Sequence, residues 1–371
     1  MAFLIASFVL MIFSLSDKRA FFYFIPPVVA IYFSMHYGYG FDWINYLNSY
    51  EIVRWQNIPL TEPGLFYTMK LADYFNLSFG QMFLFISAFN YYCLYRFCKI
   101  FKNPMFAFFC AFSFFGFYMY AEQIRQGLAL SIILLGLSKH GFESKKIYIW
   151  MILAAFFHVS AFFFVICKFV SPSSLRSFRK NIVLMTIVVF GFLIVFTTPS
   201  LVSFIPYVGS KVADYSASYD SSWGGFITLF LLSKYTYLYL FSIIVVYVCF
   251  VKSKDKKILK SVISLYFLML SKITPFLLRF GYYFVPWLIL GLDNYFYEKQ
   301  KKGVIFVKKT MIHAIILLIS SATMWNPALF TATQTPLSVF DSQYSVDKEV
   351  SNKCIIVYRT GFGRDVLPSC G

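Results

Sequence analysis

A chain of 371 residues that is 59% hydrophobic, 22% aromatic and only 13% charged is too apolar for a soluble domain of that length. Its net charge of +17 would suit a nucleic-acid binder, but the basic residues follow membrane topology instead. These properties predict an all-α, polytopic integral membrane protein and exclude a soluble enzyme.

A bilayer is crossed by about 20 apolar residues, and about twelve segments (about 10–13 depending on how short pairs are divided) meet or approach that length. They lie at 1–15, 20–36, 79–95, 104–120, 124–138, 147–158, 160–170, 181–197, 226–250, 260–275, 277–292 and 310–325. The first is followed by Asp17-Lys18-Arg19 rather than by a small-residue cleavage site, so it is expected to stay on the chain. Alternating the spans from an outside N-terminus places 22 of the 33 Lys and Arg residues in six short inner segments. That is the positive-inside bias; anionic lipid accounts for the charge, and no nucleic acid is expected. Residues 1–325 read as one transmembrane domain with outer loops at 36–79 and 198–225, and 326–371 as an outer-face C-terminal tail.

The first outer loop carries Gly40-Phe41-Asp42-Trp43-Ile44-Asn45-Tyr46, in which Asp42 and Tyr46 stand one helical turn apart on one face. Thr61-Glu62-Pro63-Gly64 then reads as a turn into an amphipathic helix over 65–75. Pro63 suits the first helical position, and Glu62 is either a cap or a chemical group. Next, Glu122, Gln123, Arg125 and Gln126 interrupt two apolar runs, 104–121 and 127–138. An arginine in hydrocarbon costs about 2.5–3.5 kcal/mol on insertion scales, so it needs a partner and usually has a task.

Segment 147–170 reads as a tight pair breaking at Phe157-His158-Val159-Ser160-Ala161. A single helix would carry Lys168, Arg176, Arg179 and Lys180 outside, against the charge bias. A lone histidine is more often a satisfied core residue, but His158 falls at the depth of Arg125. Further on, a proline-interrupted helix leads from Lys272 to Arg279, Tyr282 and Tyr283. A structural carboxylate is the bland partner for either arginine. Cys93, Cys98, Cys110, Cys167 and Cys249 read as packing residues. Cys354 and Cys370 lie in the tail, where an oxidising compartment would permit a disulfide. The lack of an internal repeat weakens a transporter reading, and without a P-loop cytosolic nucleotide chemistry has no obvious home.

In this order the motifs resemble the EpsG/Wzy family of bacterial polysaccharide polymerases. The matching residues are Gly40, Asp42 and Tyr46; Glu62, Pro63 and Gly64; Arg125, Gln126 and Ala129; His158, Ser160 and Ala161; and Arg279 with Tyr282. The resemblance implies a GT-C-like glycosyltransferase, multi-pass in the bacterial cytoplasmic (inner) membrane, with its active site facing the periplasm or exterior. Such an enzyme joins undecaprenyl-diphosphate-linked oligosaccharide repeats, donor to acceptor, into O-antigen or a related surface polysaccharide. A chain-length regulator protein is an implied partner.

A diphosphate leaves readily, so fixed cations suffice. Arg125 and Arg279 are expected to hold it bidentately, helped by Gln126 and Tyr282. Tyr46, Ser160 and Glu122 complete the substrate-binding set. Asp42, Glu62 or His158 is the base for the acceptor hydroxyl. No cofactor is expected; Asp42 and Glu62 could take a divalent metal, but the arginines make one unnecessary. The alternatives are a membrane glycan acyltransferase, a single-sugar lipid-linked glycosyltransferase and a lipid-linked oligosaccharide flippase.

Overall fold

Long apolar helices form wherever the chain lacks breakers, and proline, glycine, asparagine and serine set their ends. The computed structural model describes residues 1–360 except 17, 57–61, 170, 171, 173, 205–208, 210, 211, 214–222, 254 and 301–305. The chain divides into two compact units, Met1–Phe162 with Ile316–Gly371, and Phe163–Ile315. The first unit opens with α1 (Ala2–Leu15), α2 (Phe21–Ser34), β1 (His36–Tyr37), α3 (Asp42–Gln56), α4 (Pro63–Tyr74) and α5 (Phe79–Cys98). There follow α6 (Pro104–Phe115), which runs into a π-helical turn over Gly116–Glu122, α7 (Ile124–His140) and α8 (Ile147–Ala155).

The second unit holds α9 (Phe164–Phe169), α10 (Leu175–Thr197), α11 (Trp223–Leu232), α12 (Lys234–Ser253), α13 (Ile258–Leu270), α14 (Pro275–Gly281) and α15 (Val285–Gln300). The unit boundary falls inside α16 (Phe306–Ser321). Then α17 (Pro327–Ala332), β2 (Leu337–Ser338) and α18 (Gln343–Thr360) belong to the first unit.

Among the described residues, three helices are long and apolar enough to cross a membrane: Pro104–Glu122, Leu175–Thr197 and Lys234–Val251. The first is 89% buried within the protein, against 28% and 33% for the other two. So Pro104–Glu122 is a central helix. The other two turn residues such as Ile187, Phe190, Ile244 and Val248 outward, as a lipid solvent permits. Shorter apolar helices occupy Ala2–Leu15, Phe21–Ser34 and Val159–Lys168. The protein is therefore a predominantly helical membrane protein. The run expected at 226–250 is broken at Ser233, whose hydroxyl takes the Tyr235 N–H at 3.3 Å and starts a new helix. The break expected near His158 is present, because α8 ends at Ala155 and a 3₁₀ turn spans Val159–Phe163.

Local chemistry sets where several of these helices end and begin. Asn76 adopts φ 53° after α4, while Asn76 N–H bonds Asp73 O at 2.8 Å and Leu77 N–H bonds Ala72 O at 2.9 Å. This is a Schellman cap with asparagine in the left-handed position. Ser78 and Gln81 then close a capping box that starts α5. A two-residue antiparallel pairing, His36 with Ser338 and Tyr37 with Leu337, adds a strand contact that an all-α reading omits. Four residues are too few for a period-two pattern to show in the sequence.

Trp43, Ile44, Tyr46 and Tyr50 of α3 share one core with Leu65 and Met69 of α4, Phe79 and Phe83 of α5, and Ile124 and Leu128 of α7. Leu337, Val346 and Val357 complete it from the C-terminal segment. Cys354 is disulfide-bonded; Cys370, which an oxidising compartment would permit as its partner, lies outside the described residues.

The first turn of α7 packs on the π-turn so tightly that a Cβ on Gly127 would stand 2.3 Å from the Met119 carbonyl oxygen. Gly127→Ala should therefore lower stability by about 1–3 kcal/mol, read as an earlier melting transition of the detergent-purified protein.

Candidate functional site

The site begins where α6 stops being regular. A π-helical turn over Gly116–Glu122 carries Glu122 as its last residue, and such turns recur at functional positions. Gln123 leaves helical geometry at φ −103°, ψ 67°, so α7 starts afresh and holds Arg125 in its first turn.

Glu122 is 8% exposed. Its carboxylate accepts the Phe41 N–H at 3.1 and 3.0 Å and the Asp42 N–H at 3.3 Å. These amides open α3 and have no intrahelical partner; a carboxylate there also suits the helix dipole. A Cβ on Gly40 would sit 1.3 Å from Glu122 Oε2. Only glycine leaves room for that carboxylate, which is the physical content of Gly-x-Asp here. Trp43 Nε1 donates to Gly40 O at 3.1 Å and closes the loop.

One turn along α3, Tyr46 meets Arg125. The guanidinium lies 5.5 Å from the ring centroid, and its Nε donates to the tyrosine hydroxyl at 3.5 Å. Its Nη1 donates to Glu62 Oε2 at 2.6 Å. The Glu62 side chain is 9% exposed, that of Arg125 35%. Glu62 makes no side-chain cap bond to α4, so the capping alternative gives way to an ion pair.

The Glu-Pro-Gly turn also docks elsewhere. Gly64 N–H donates to Phe156 O at 2.8 Å, and a Cβ on Gly64 would meet that oxygen at 2.8 Å. Two residues on, His158 Nδ1 accepts the Ser160 N–H at 3.1 Å and lies 2.7 Å from Ser160 Oγ. An amide can only donate, so Nδ1 is unprotonated and the neutral ring carries its proton on Nε2. Gln126 is buried at 1% exposure, while Gln123 Nε2 donates to the Tyr118 hydroxyl at 3.1 Å.

The fold thus brings Asp42, Tyr46, Glu62, Glu122 and Arg125 together, with His158 and Ser160 joined to them through Gly64. Arg279 and Tyr282 belong to the second unit. There Thr274 caps α14 by accepting the Leu277 N–H at 3.1 Å, Arg279 is half-buried, and Tyr282 is 5% exposed in the following 3₁₀ turn.

Sequence reasoning passed over Lys353. It is fully buried on α18, and its Nζ bonds Glu349 Oε1 at 2.9 Å and the Ala332 carbonyl. Burial pushes this ammonium below the ordinary lysine value, while Glu349 and Glu122 favour its charged form. The Glu349–Lys353 spacing is an i,i+4 pair, the one signal that marked it in advance.

Replacing Glu122 by alanine strands the Phe41 and Asp42 amides, a loss of about 1–3 kcal/mol. Glu122→Gln, which keeps one acceptor oxygen, should melt between alanine and wild type, whereas Gly40→Ala should match the alanine variant.

A family model described as the EpsG family matches residues 3–333, a stretch that contains every motif residue above. No curated protein and no solved structure matches the chain. With most of the chain matched and the family's motifs in order, the chain belongs to the EpsG family.

Proposed function

We propose that this polysaccharide-polymerase-type membrane protein is a glycosyltransferase that polymerises undecaprenyl-diphosphate-linked oligosaccharide repeats. In this reading it works on the outer face of a bacterial cytoplasmic membrane, as a GT-C-like enzyme of about twelve spans. The observation that carries the reading is Arg125, which Glu62 and Tyr46 hold in one orientation while about a third of its side chain stays open. A guanidinium has five N–H donors; one goes to Glu62 and one to Tyr46, and in this reading an anion takes up others. Its place in the first turn of α7 adds the positive end of a helix dipole. A cation positioned beforehand stabilises a leaving diphosphate without reorganising during the reaction.

The acceptor hydroxyl attacks the anomeric carbon of the donor sugar. The bond from that carbon to the diphosphate oxygen breaks, a glycosidic bond forms, and undecaprenyl diphosphate departs with the electron pair. The hydroxyl proton passes to a carboxylate. Glu62 is committed to Arg125, and His158 Nδ1 to the Ser160 amide. Asp42, at the start of α3 where its amide meets Glu122, is assigned as the base, with His158 Nε2–H as a donor to sugar or phosphate. Gln126, next to Arg125 in the first turn of α7, is assigned to help hold the diphosphate. No cofactor is assigned.

Ladder length on gels tests this in a deletion strain complemented at normal protein level. Arg125→Ala should cut polymer by at least about 100-fold, and Arg125→Lys nearly as far, because a point charge lacks the fork. Wild-type ladders from both would end the assignment. Glu62→Gln, which loosens the guanidinium, should give an intermediate loss. With defined lipid donors in vitro, growth by whole repeats supports a polymerase, and growth by one sugar supports a single-sugar transferase.

A further inference from the structure

Between α2 and α5, both in the first unit, runs a groove that the site described above does not use. Its volume is about 490 Å³, within the usual range for a ligand site. Ala30 and Ile31 line it from α2, and Leu84, Ala88 and Tyr92 from α5; no charged side chain lines it. Small residues on both helices leave the space. Pro26 and Pro27 also withdraw two N–H donors from α2, where the Phe22 and Tyr23 carbonyls would accept, the usual cause of a helix bend.

The two ends of the groove differ. At the far end Tyr95 stacks on Phe22 at 4.7 Å. At the near end Met35 O accepts the Val339 N–H, and β1 follows at once and leads to Gly40 and Asp42. The start of α5 packs on the same strand, for a Cβ on Gly80 would stand 3.1 Å from the Tyr37 ring. Tyr91, in the groove wall, meets Tyr120 edge to face at 5.4 Å, two residues before Glu122. The groove is thus continuous with the candidate site.

Ser34 lines the near end. It is 5% exposed, and its hydroxyl has no hydrogen-bond partner among the described residues. By contrast, Ser49, Ser242 and Ser264 each donate to the carbonyl four residues back. A buried hydroxyl of this kind calls for a partner from outside the chain. An apolar cleft with one such group at the end nearest the site suits a ligand that is hydrocarbon along its length and polar at its head.

We propose that this groove holds the isoprenoid chain of a lipid-linked substrate, with the phosphate end towards the loop that leads to Asp42. From Pro26 to Met35, α2 and its cap rise about 14 Å, so the groove takes the first isoprene units and the remainder lies in the bilayer. A diacyl lipid would bring two chains to one groove, whereas a polyprenyl diphosphate brings one. That the ligand is a substrate rests on the polymerase reading; the binding of an isoprenoid chain does not.

Photolabelling of the full chain in nanodiscs tests this, with a polyprenyl diphosphate that carries a diazirine in its first isoprene units. Label should fall on peptides covering residues 26–35 and 84–95. Excess undecaprenyl phosphate should remove it, and the same excess of phosphatidylglycerol should not. Label elsewhere, or label lost equally to both lipids, overturns the proposal. Ala88 is exposed on α5, so Ala88→Trp fills the groove without entering the core and should cut labelling about tenfold. Phe85→Ala, exposed on the same helix but outside the groove, should leave it unchanged. Undiminished label in Ala88→Trp overturns the proposal, and if that variant is not recovered folded, lipid competition on the wild type decides.

Turnover is the second readout. Ala88→Trp should raise KM for an undecaprenyl-linked substrate about tenfold with kcat kept, and leave KM for a geranyl-linked one unchanged. An equal effect on both counts against the groove. No polymer even from the wild-type chain refutes the polymerase reading, and photolabelling still decides where the isoprenoid chain binds.

Discussion

A buried carboxylate accepting the first amides of a helix is the contact on which the rest of this site depends. Taking Glu122 out of water costs several kcal/mol unless its charge is met. The Phe41 amide, shared by both oxygens, the Asp42 amide and the positive end of α3 offset that cost. In return the carboxylate determines where α3 starts and in which direction it leaves. Gly40 is glycine because the carboxylate occupies the volume of a side chain there. Tyr46 then falls one turn along, under the Arg125 guanidinium.

Two carboxylates take different roles. Glu122 is spent on backbone, whereas Glu62 is spent on Arg125 and aims it. The difference arises from the chain break at Gln123, which separates a residue ending a π-turn from one beginning an α-helix. Had the helix run on regularly, Glu122 and Arg125 would have been three apart on one face and free to pair with each other. The irregular turn keeps them apart, and Arg125 turns to Glu62 and Tyr46 instead.

Glycine performs the joining. Gly64 sets the Glu-Pro-Gly turn on the Phe156 carbonyl, and Gly127 sets α7 on the Met119 carbonyl. Each brings two backbones within a distance that any Cβ would forbid. His158 is thereby linked to Glu62, with its proton directed to Nε2 by the Ser160 amide. The cost of ordering these groups is met by the shared aromatic core rather than by the polar contacts themselves.

Composition alone determined that this is a helical membrane protein, and the 147–170 break was legible because charge bias punishes a single span there. The ordered motifs also identified Asp42, Glu62, Arg125 and His158 as residues of interest. Their partners were not legible. The Glu62 carboxylate is 63 residues from the arginine it pairs with, and Glu122 is 80 and 81 residues from the amides it caps. Periodicity reports only neighbours a turn or two away, so it left Glu62 as either cap or chemical group and Lys353 as a feature of a tail. Only folding chooses among distant carboxylates, because that choice depends on which pairs are desolvated together. The tertiary structure therefore decided who holds Arg125, why Gly40 must be glycine, and that the C-terminal helix belongs with the first loop.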